Sequence, residues 1–140
     1  ERKQRELEKQ RQRELAEKEK QEREKEEYMN AEQPDYITIS RYPNEFKNKK
    51  VRFYGKVAQI IEQNNNTVAF RMYVTNRCYE YDCKWNDDIY VIFNKDDSMN
   101  ILENDELEIT GDFMGIETYQ TILGSKRSIP KVRAKYLELN

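Results

Sequence analysis

The chain has 140 residues, of which 37% are charged, with 25 Lys and Arg against 27 Asp and Glu and no His. Such a balance lacks the overall positive field that draws proteins onto a phosphate backbone, so it disfavours nucleic acid as a partner. The absence of His removes the most common general base and metal ligand at neutral pH, which argues against a catalytic or zinc-dependent protein. No apolar run approaches the length that crosses a bilayer.

The N-terminal segment, residues 1–30, predicts a long and highly charged α-helix. Nearly every residue is a strong helix former, and opposite charges recur four residues apart. The apolar side chains of its first 27 residues are Leu7, Leu15 and Ala16, which do not repeat as a coiled-coil seam would. Two interpretations stay open, a solvated spacer or a helix that binds a partner or a second copy of the chain. Because Pro34 resists helix continuation, we expect an arm at 1–30, a linker at 31–35 and a globular domain at 36–140.

The globular part opens with a short predicted helix at 40–47. Thr38 or Ser40 caps this helix, and Pro43 stands in its first turn. From residue 50 onward apolar and polar residues alternate with a period of two, which predicts β-strands. A polar connection with one helical turn is expected between the third and fourth strands. The positions predicted to face inward are Val51, Phe53, Val57, Val68, Phe70, Met72, Val74, Ile89, Val91, Phe93, Leu107, Ile109 and Phe113.

This pattern predicts an all-β fold, a five-stranded OB-fold barrel preceded by the charged helix. Its first strand is long, and Gly55 provides the mid-strand position without a side chain that strong curvature requires. Two meander strands, a short connection and two closing strands follow, as in OB barrels. An SH3-like barrel is the main alternative topology.

Two stretches carry a resemblance to known domains. The runs YPNEFKNKKVRFYGKV and GIETYQTILGSKRSIPKVRAKYLEL resemble small OB-fold domains, related to the tRNA-anticodon-binding type, of uncharacterised Gram-positive secreted proteins, lipoproteins and mobile-element proteins. The similarity covers residues 36–140, with Gly55, Gly111, Gly124 and Pro130 as its fixed points. It implies a binding module, often displayed by a tethered protein behind a charged linker. It assigns no functional residue, and the cysteine-containing hairpin is not part of the pattern.

The two cysteines, Cys78 and Cys83, lie in the stretch RCYEYDCKWND, where a hairpin is predicted. A zinc site would need two more ligands, and only carboxylates are available. A thioredoxin-type redox pair has two residues between its cysteines, whereas four separate these. Cysteines that flank a four-residue hairpin loop face each other, so a disulfide is favoured over two reduced thiols. A disulfide in turn indicates an oxidising, extracytoplasmic compartment.

Aromatic side chains cluster on the second and third strands and their hairpin, where OB-fold domains bind oligonucleotides and oligosaccharides. The alternative is structural: Tyr73 and Tyr90 form a cross-strand pair, and the other rings cover the rim of the barrel. The candidate ligand-binding residues are Arg71, Tyr73, Tyr79, Tyr81, Trp85, Tyr90, Tyr119, Lys126 and Arg127.

Two further charged clusters can each be interpreted either as a binding site or as an ordinary structural feature of the surface. A basic loop is predicted between the last two strands, and it either binds a phosphate or carboxylate or is ordinary surface. Four aspartates resemble ligands of a hard cation, but they lack the spacing of a calcium loop and are more typical of turns, so we expect no metal site. The basic residues are Lys126, Arg127, Lys131, Arg133 and Lys135, and the acidic ones are Asp87, Asp88, Asp96 and Asp97.

No nucleophile, general base or cofactor motif converges, so we expect a protein that is not an enzyme and needs no cofactor. The favoured interpretation is a binding module on a charged spacer, outside the membrane, whose partner is a protein or a cell-envelope component. The alternative is a cytoplasmic protein that binds single-stranded nucleic acid through Tyr73, Tyr90 and the basic loop. Because the chain begins at Glu1 rather than Met, we expect a trimmed product whose membrane anchor would lie upstream.

Overall fold

A computed structural model describes residues 1–96 and 98–140. The chain divides into two compact units, Glu1–Asn30 and Ala31–Asn140. Within the described residues the first unit holds one helix, and the second holds two short helices and five strands. The second unit contains the core and the candidate site.

The first unit is a single helix, α1 (Arg2–Met29). Its side chains up to Arg23 are exposed, including Leu7 and Leu15, because a sequence of alternating charges offers no apolar stripe to bury. In the part of the chain that the structure describes, no helix is both long and apolar enough to cross a membrane.

Two short helices, α2 (Tyr36–Arg41) and α3 (Pro43–Phe46), replace the single predicted helix at 40–47. The start was predicted too late, because the cap is Asp35 rather than Thr38 or Ser40. The Asp35 carboxylate accepts a hydrogen bond from the Thr38 backbone N–H at 3.1 Å. The break falls at Tyr42, whose extended φ of −124° is typical of a residue before proline. Pro43 is the first residue of α3, as predicted.

The five strands form a closed barrel in the order β1-β2-β3-β5-β4. Neighbouring strands are antiparallel except β3 and β5, which pair in parallel over a short segment. This is the OB-fold arrangement, so the fold prediction is confirmed and the SH3-like alternative is wrong. The strands are β1 (Lys50–Gln63), β2 (Thr67–Tyr79), β3 (Asp82–Asn94), β4 (Glu106–Gln120) and β5 (Lys126–Leu139).

The core fills the barrel with the side chains that the alternation placed inward. All thirteen predicted inward positions pack in the core, twelve of them buried and Phe93 partly buried against it. The pattern missed Ile39 of α2 and Ile101 of the β3–β4 connection, both fully buried. These two residues lie outside the strands, where a period of two gives no information.

Gly55 stands where β1 changes partner. Residues 50–56 pair with β4, residues 56–63 pair with β2, and two register shifts in the second half bend the strand. A Cβ atom on Gly55 would lie 1.9 Å from the Tyr73 carbonyl oxygen. A close approach by the β2 backbone therefore requires glycine here, in addition to the curvature that the sequence predicted.

Both long hairpins extend further than expected. The β2–β3 turn contains two residues, Glu80 and Tyr81, instead of four, and Glu80 adopts a positive φ of 56°. The segment 126–135, predicted as a loop, belongs to β5 and is paired with β4 and β3. Its charged residues therefore have fixed positions on a sheet.

The β3–β4 connection contains no helical turn among its described residues, against expectation. The buried Lys95 ammonium donates hydrogen bonds to the Met99 carbonyl at 2.8 Å and to Asn100 Oδ1 at 3.1 Å. The cation thus binds the Met99 carbonyl, a group that a helix would pair with a backbone N–H. Asp97 lies outside the described residues.

The substitution Gly55→Ala is expected to lower the free energy of unfolding by about 3 kcal/mol, because the new Cβ displaces the β2 backbone. Urea unfolding followed by tryptophan fluorescence measures the change. Gly124→Ala is the control, since its site is open and its only cost is a φ of +85°, worth about 1 kcal/mol. Equal losses for the two variants would contradict the assigned close approach.

Candidate ligand-binding face

One outward surface of the barrel collects most of the predicted site residues. It spans the middle of β2 and β3 and the adjoining parts of β4 and β5. Its register places Arg71 opposite Tyr90, Tyr90 beside Lys131, and Tyr119 opposite Arg127. We call this surface the open face and define it by Arg71, Tyr73, Asp88, Tyr90, Glu117, Tyr119, Arg127 and Lys131.

At the centre of the open face Asp88 binds two arginines. Arg71 Nη1 donates to Asp88 Oδ2 at 3.0 Å, and Arg127 donates to both carboxylate oxygens, at 2.8 and 3.0 Å. The Asp88 side chain is only 5% exposed, against 16% for Arg71 and 46% for Arg127. Such bidentate, charge-assisted bonds fix the orientation of a guanidinium group.

Two tyrosines complete the polar shell of this cluster. The Tyr36 hydroxyl of α2 donates to the Asp88 backbone carbonyl at 2.9 Å. Burial, with the nearby charges of Asp88 and Asp87, raises the pKa of Tyr36 to about 12. Arg127 also donates to the Tyr119 hydroxyl at 3.3 Å. Hydrogen bonding to Asp88 raises the pKa of Arg127 further above its ordinary value.

Three aromatic rings lie beside these cations. The Arg71 guanidinium carbon lies 5.3 Å from the centre of the Tyr73 ring, and the Lys131 ammonium lies 5.8 Å from that of Tyr90. The Tyr90 and Tyr119 rings are 6.2 Å apart and tilted by 47°. Burial and the charge of Glu117 raise the pKa of Tyr90 above its ordinary value.

The sequence left open a structural alternative in which Tyr73 and Tyr90 form a cross-strand pair, and the register of the sheet bears on it. Tyr73 lies opposite Asp88 and Tyr90 lies opposite Arg71, so the two tyrosines are not a directly opposed cross-strand pair. The two rings are not directly opposed; they are diagonal neighbours, because Tyr90 lies two residues along β3 from the position opposite Tyr73.

A groove runs over one end of the open face, with a volume of about 830 Å³. Arg71 and Arg127 line it together with Glu103, β1 residues and the β4–β5 turn. Ile122 and Leu123 of that turn are 90% and 93% exposed, although both are large and apolar. The groove therefore offers charged, aromatic and aliphatic contacts, and its principal lining residues are Ile60, Arg71, Tyr119, Ile122, Leu123 and Arg127.

Several predicted site residues lie away from this cluster. The paired part of the β2–β3 hairpin continues beyond Tyr73, where β1 stops pairing with β2. At its tip Tyr79 and Tyr81 are 82% and 103% exposed. Trp85 packs near Tyr54 instead, with ring centres 6.3 Å apart. Lys126 is exposed at the start of β5, opposite Gln120.

Cys78 and Cys83 are directly opposite each other in the β2–β3 ladder. Their sulfur atoms are 2.07 Å apart, which is a disulfide. Both residues are exposed, one pair of residues behind the turn. The bond therefore fastens the two strands of the ribbon close to its tip.

The acidic residues have other partners. Asp88 binds arginines, and the Asp96 carboxylate accepts a hydrogen bond from the Ser98 backbone N–H at 3.0 Å, as in a turn. Within residues 1–96 and 98–140, no group of three or more Cys, Asp or Glu side chains could hold a metal ion.

Sequence reasoning missed Asp88 as the centre of the site and the apolar turn at Ile122 and Leu123. Asp88 looked like one of two consecutive turn aspartates, and nothing local indicated partners 17 and 39 residues away. The apolar pair Ile122 and Leu123 lies in TYQTILG, a stretch whose composition is typical of a strand. The glycine at position 124, directly after these two apolar residues, is the signal that could have located the turn.

No family model matches the chain, and no curated protein is similar to it in sequence. Similar solved structures include a small single-stranded DNA-binding protein from Streptomyces coelicolor, with 16% identity, a TM-score of 0.46, and 67% of this chain and 95% of that chain covered. Aspartyl tRNA synthetase from Entamoeba histolytica has 10% identity and a TM-score of 0.47, over 76% of this chain but 21% of the synthetase. A Plasmodium falciparum SSB in complex with ssDNA has 12% identity, a TM-score of 0.36, and 64% and 90% covered.

Likeness at this level concerns the fold and assigns no ligand. The Gram-positive secreted, lipoprotein or mobile-element context that the sequence resemblance implies stays a prediction.

The substitution Asp88→Asn is expected to lower the free energy of unfolding by about 3 kcal/mol, because it leaves the largely buried Arg71 without its counter-ion. Urea unfolding measures this loss. Asp82→Asn is the matched control, since that carboxylate is 74% exposed and lies 3.9 Å from Lys84, so about 0.5 kcal/mol or less is expected. Similar losses in both variants would show that the Asp88 cluster is not a structural centre.

Proposed function

We propose that the protein is a non-enzymatic OB-fold module that binds a short segment of single-stranded nucleic acid on its open face. One observation carries the proposal: three tyrosine rings and two oriented guanidinium groups lie together on the open face, and Tyr119 with both guanidinium groups lines its groove. Proteins that bind single strands combine aromatic rings, on which bases stack, with cations that follow the phosphates. The charged arm at 1–30 would be the spacer that displays this module, and no cofactor is involved.

Stacking supplies most of the affinity in this proposal. The three cations of the open face, Arg71, Arg127 and Lys131, are partly offset by Asp88 and Glu117, at distances from 2.8 to 3.6 Å. The net field is therefore small, in line with the composition of the chain. Base stacking on an aromatic side chain contributes about 1 to 3 kcal/mol per base and depends little on charge.

The arginines act mainly through position. Arg71 and Arg127 are held by Asp88, so a ligand pays little side-chain entropy to meet them. A guanidinium group also presents planar donors to phosphate and can stack on a base. The exposed Arg127 is the group best placed to contact a phosphate. Arg71 is largely buried and forms part of the bottom of the groove.

A second candidate function is favoured by a different observation. The disulfide between Cys78 and Cys83 is typical of an oxidising compartment. In this candidate the module lies outside the membrane, tethered upstream through the charged arm, and the same groove binds a protein or cell-envelope partner. The exposed Ile122 and Leu123 would then contact an apolar segment of that partner.

The variants Tyr73→Leu and Tyr119→Leu are each expected to weaken binding of a labelled oligothymidylate about tenfold, because leucine keeps the bulk but removes the stacking ring. Fluorescence anisotropy at low and at physiological salt measures the affinity. Tyr42→Leu, at an exposed tyrosine of the helical segment, is the control and should bind like the wild type. Absence of binding by the wild type at low salt, or equal weakening by the control, would overturn the nucleic-acid proposal.

For the second candidate, protein isolated from its native source without added thiol should carry the disulfide. Its mass should then increase by two hydrogen atoms on reduction, and alkylation before reduction should label neither cysteine. Recovery of both cysteines as free thiols would count against an extracytoplasmic location. The recombinant protein, oxidised in air and treated in the same way, is the reference.

A further inference from the structure

A second groove lies on the same outward side of the barrel, further along β5. Its volume is about 480 Å³, and it is lined by the strands β3, β4 and β5. Arg133 and Lys135 supply two cations to it, and Asp112 supplies one carboxylate. Both basic side chains are exposed. The excess of one positive charge favours an anionic ligand there.

The register of the sheet aligns this groove with the first one. Lys131 and Arg133, two positions apart, share one side of β5, and Lys135 follows at a bulge of this strand and lines the second groove together with Arg133. Tyr90 lies beside Lys131, and Ile92 lies beside Arg133 in the parallel β3–β5 pair. The basic residues therefore form a row that starts at the open face and leads into the second groove.

We propose that Arg133 and Lys135 form a second phosphate-binding subsite, so that the ligand is a polymer that occupies both grooves rather than a single nucleotide. This inference rests on the proposed nucleic-acid function. Between Arg127 and Lys135 the strand rises by at most about 26 Å, the value for a regular strand at 3.3 Å per residue. One nucleotide cannot span that distance, whereas a single strand of several nucleotides can, and OB folds bind about 4 to 16 nucleotides.

The two subsites have different chemistry. The first combines rings with arginines that Asp88 holds in place, so it suits bases and one phosphate. The second has exposed cations and the apolar Ile92, so it suits the backbone of the strand that continues from the first. The ligand thus gains orientation at one end and salt-dependent affinity at the other.

The double variant Arg133→Gln and Lys135→Gln tests this subsite. With an oligothymidylate of about twelve nucleotides, affinity at low salt should fall about tenfold. The slope of log affinity against log salt concentration should become shallower by about 1.4, since each lost phosphate contact on a single strand contributes about 0.7. Anisotropy titrations at several salt concentrations give both quantities, and urea unfolding verifies that the variant is folded.

Arg41→Gln with Lys47→Gln is the matched control, because it removes the same charge at exposed positions of the helical segment. It should lose little affinity and keep the slope. If the wild type binds and both double variants behave alike, the second subsite is wrong while the proposed function stands. If the wild type binds no oligonucleotide, the proposed function itself fails, and the inference fails with it.

Discussion

The bond between Asp88 and Arg127 is the contact on which the open face depends. β3 and β5 pair directly only over residues 90–93 and 131–134, so the two strands separate before Tyr90. Arg127 bridges this gap with two hydrogen bonds to Asp88, while Arg71 attaches β2 and Tyr36 attaches α2 to the same residue. The buried Asp88 thus joins three strands through its carboxylate and a helix through its backbone carbonyl, where the barrel would otherwise open.

The same contact explains how a nearly neutral chain can present a binding surface. Asp88 cancels much of the charge of its arginines but fixes their direction, and Arg127 in turn holds the Tyr119 hydroxyl. What remains is a preorganised arrangement of rings and donors, which lowers the entropy cost of binding. Under the proposed function, long-range attraction would be weak and discrimination would come from shape and stacking.

The fold was predictable from the sequence because its determinants are local. A period of two placed Val68, Phe70 and Met72 inward, and a long first strand with Gly55 suggested the OB order. The site was predictable only in part: the predicted Cys78–Cys83 pair gave the register of β2 and β3, but the side-chain contacts with β4 and β5 could not be deduced. The central role of Asp88 was not predicted, because its partners are distant in sequence and only the closed barrel brings them together. The start of β5 was not predicted, because Pro130 and the basic residues around it are typical of a loop.

The disulfide lies near the tip of the β2–β3 ribbon and contributes no residue to the open face. The ribbon beyond Tyr73 extends past the last β1–β2 pair, so its strands depend on their own ladder, the Cys78–Cys83 bond and the contact of Trp85 with Tyr54. A disulfide that closes so short a loop contributes about 2 kcal/mol at most. The barrel core, with Phe53, Phe70 and Phe113 fully buried, does not need it. The redox state of the cysteines therefore bears on the compartment in which the protein works, whereas the contacts that form the open face do not include the disulfide.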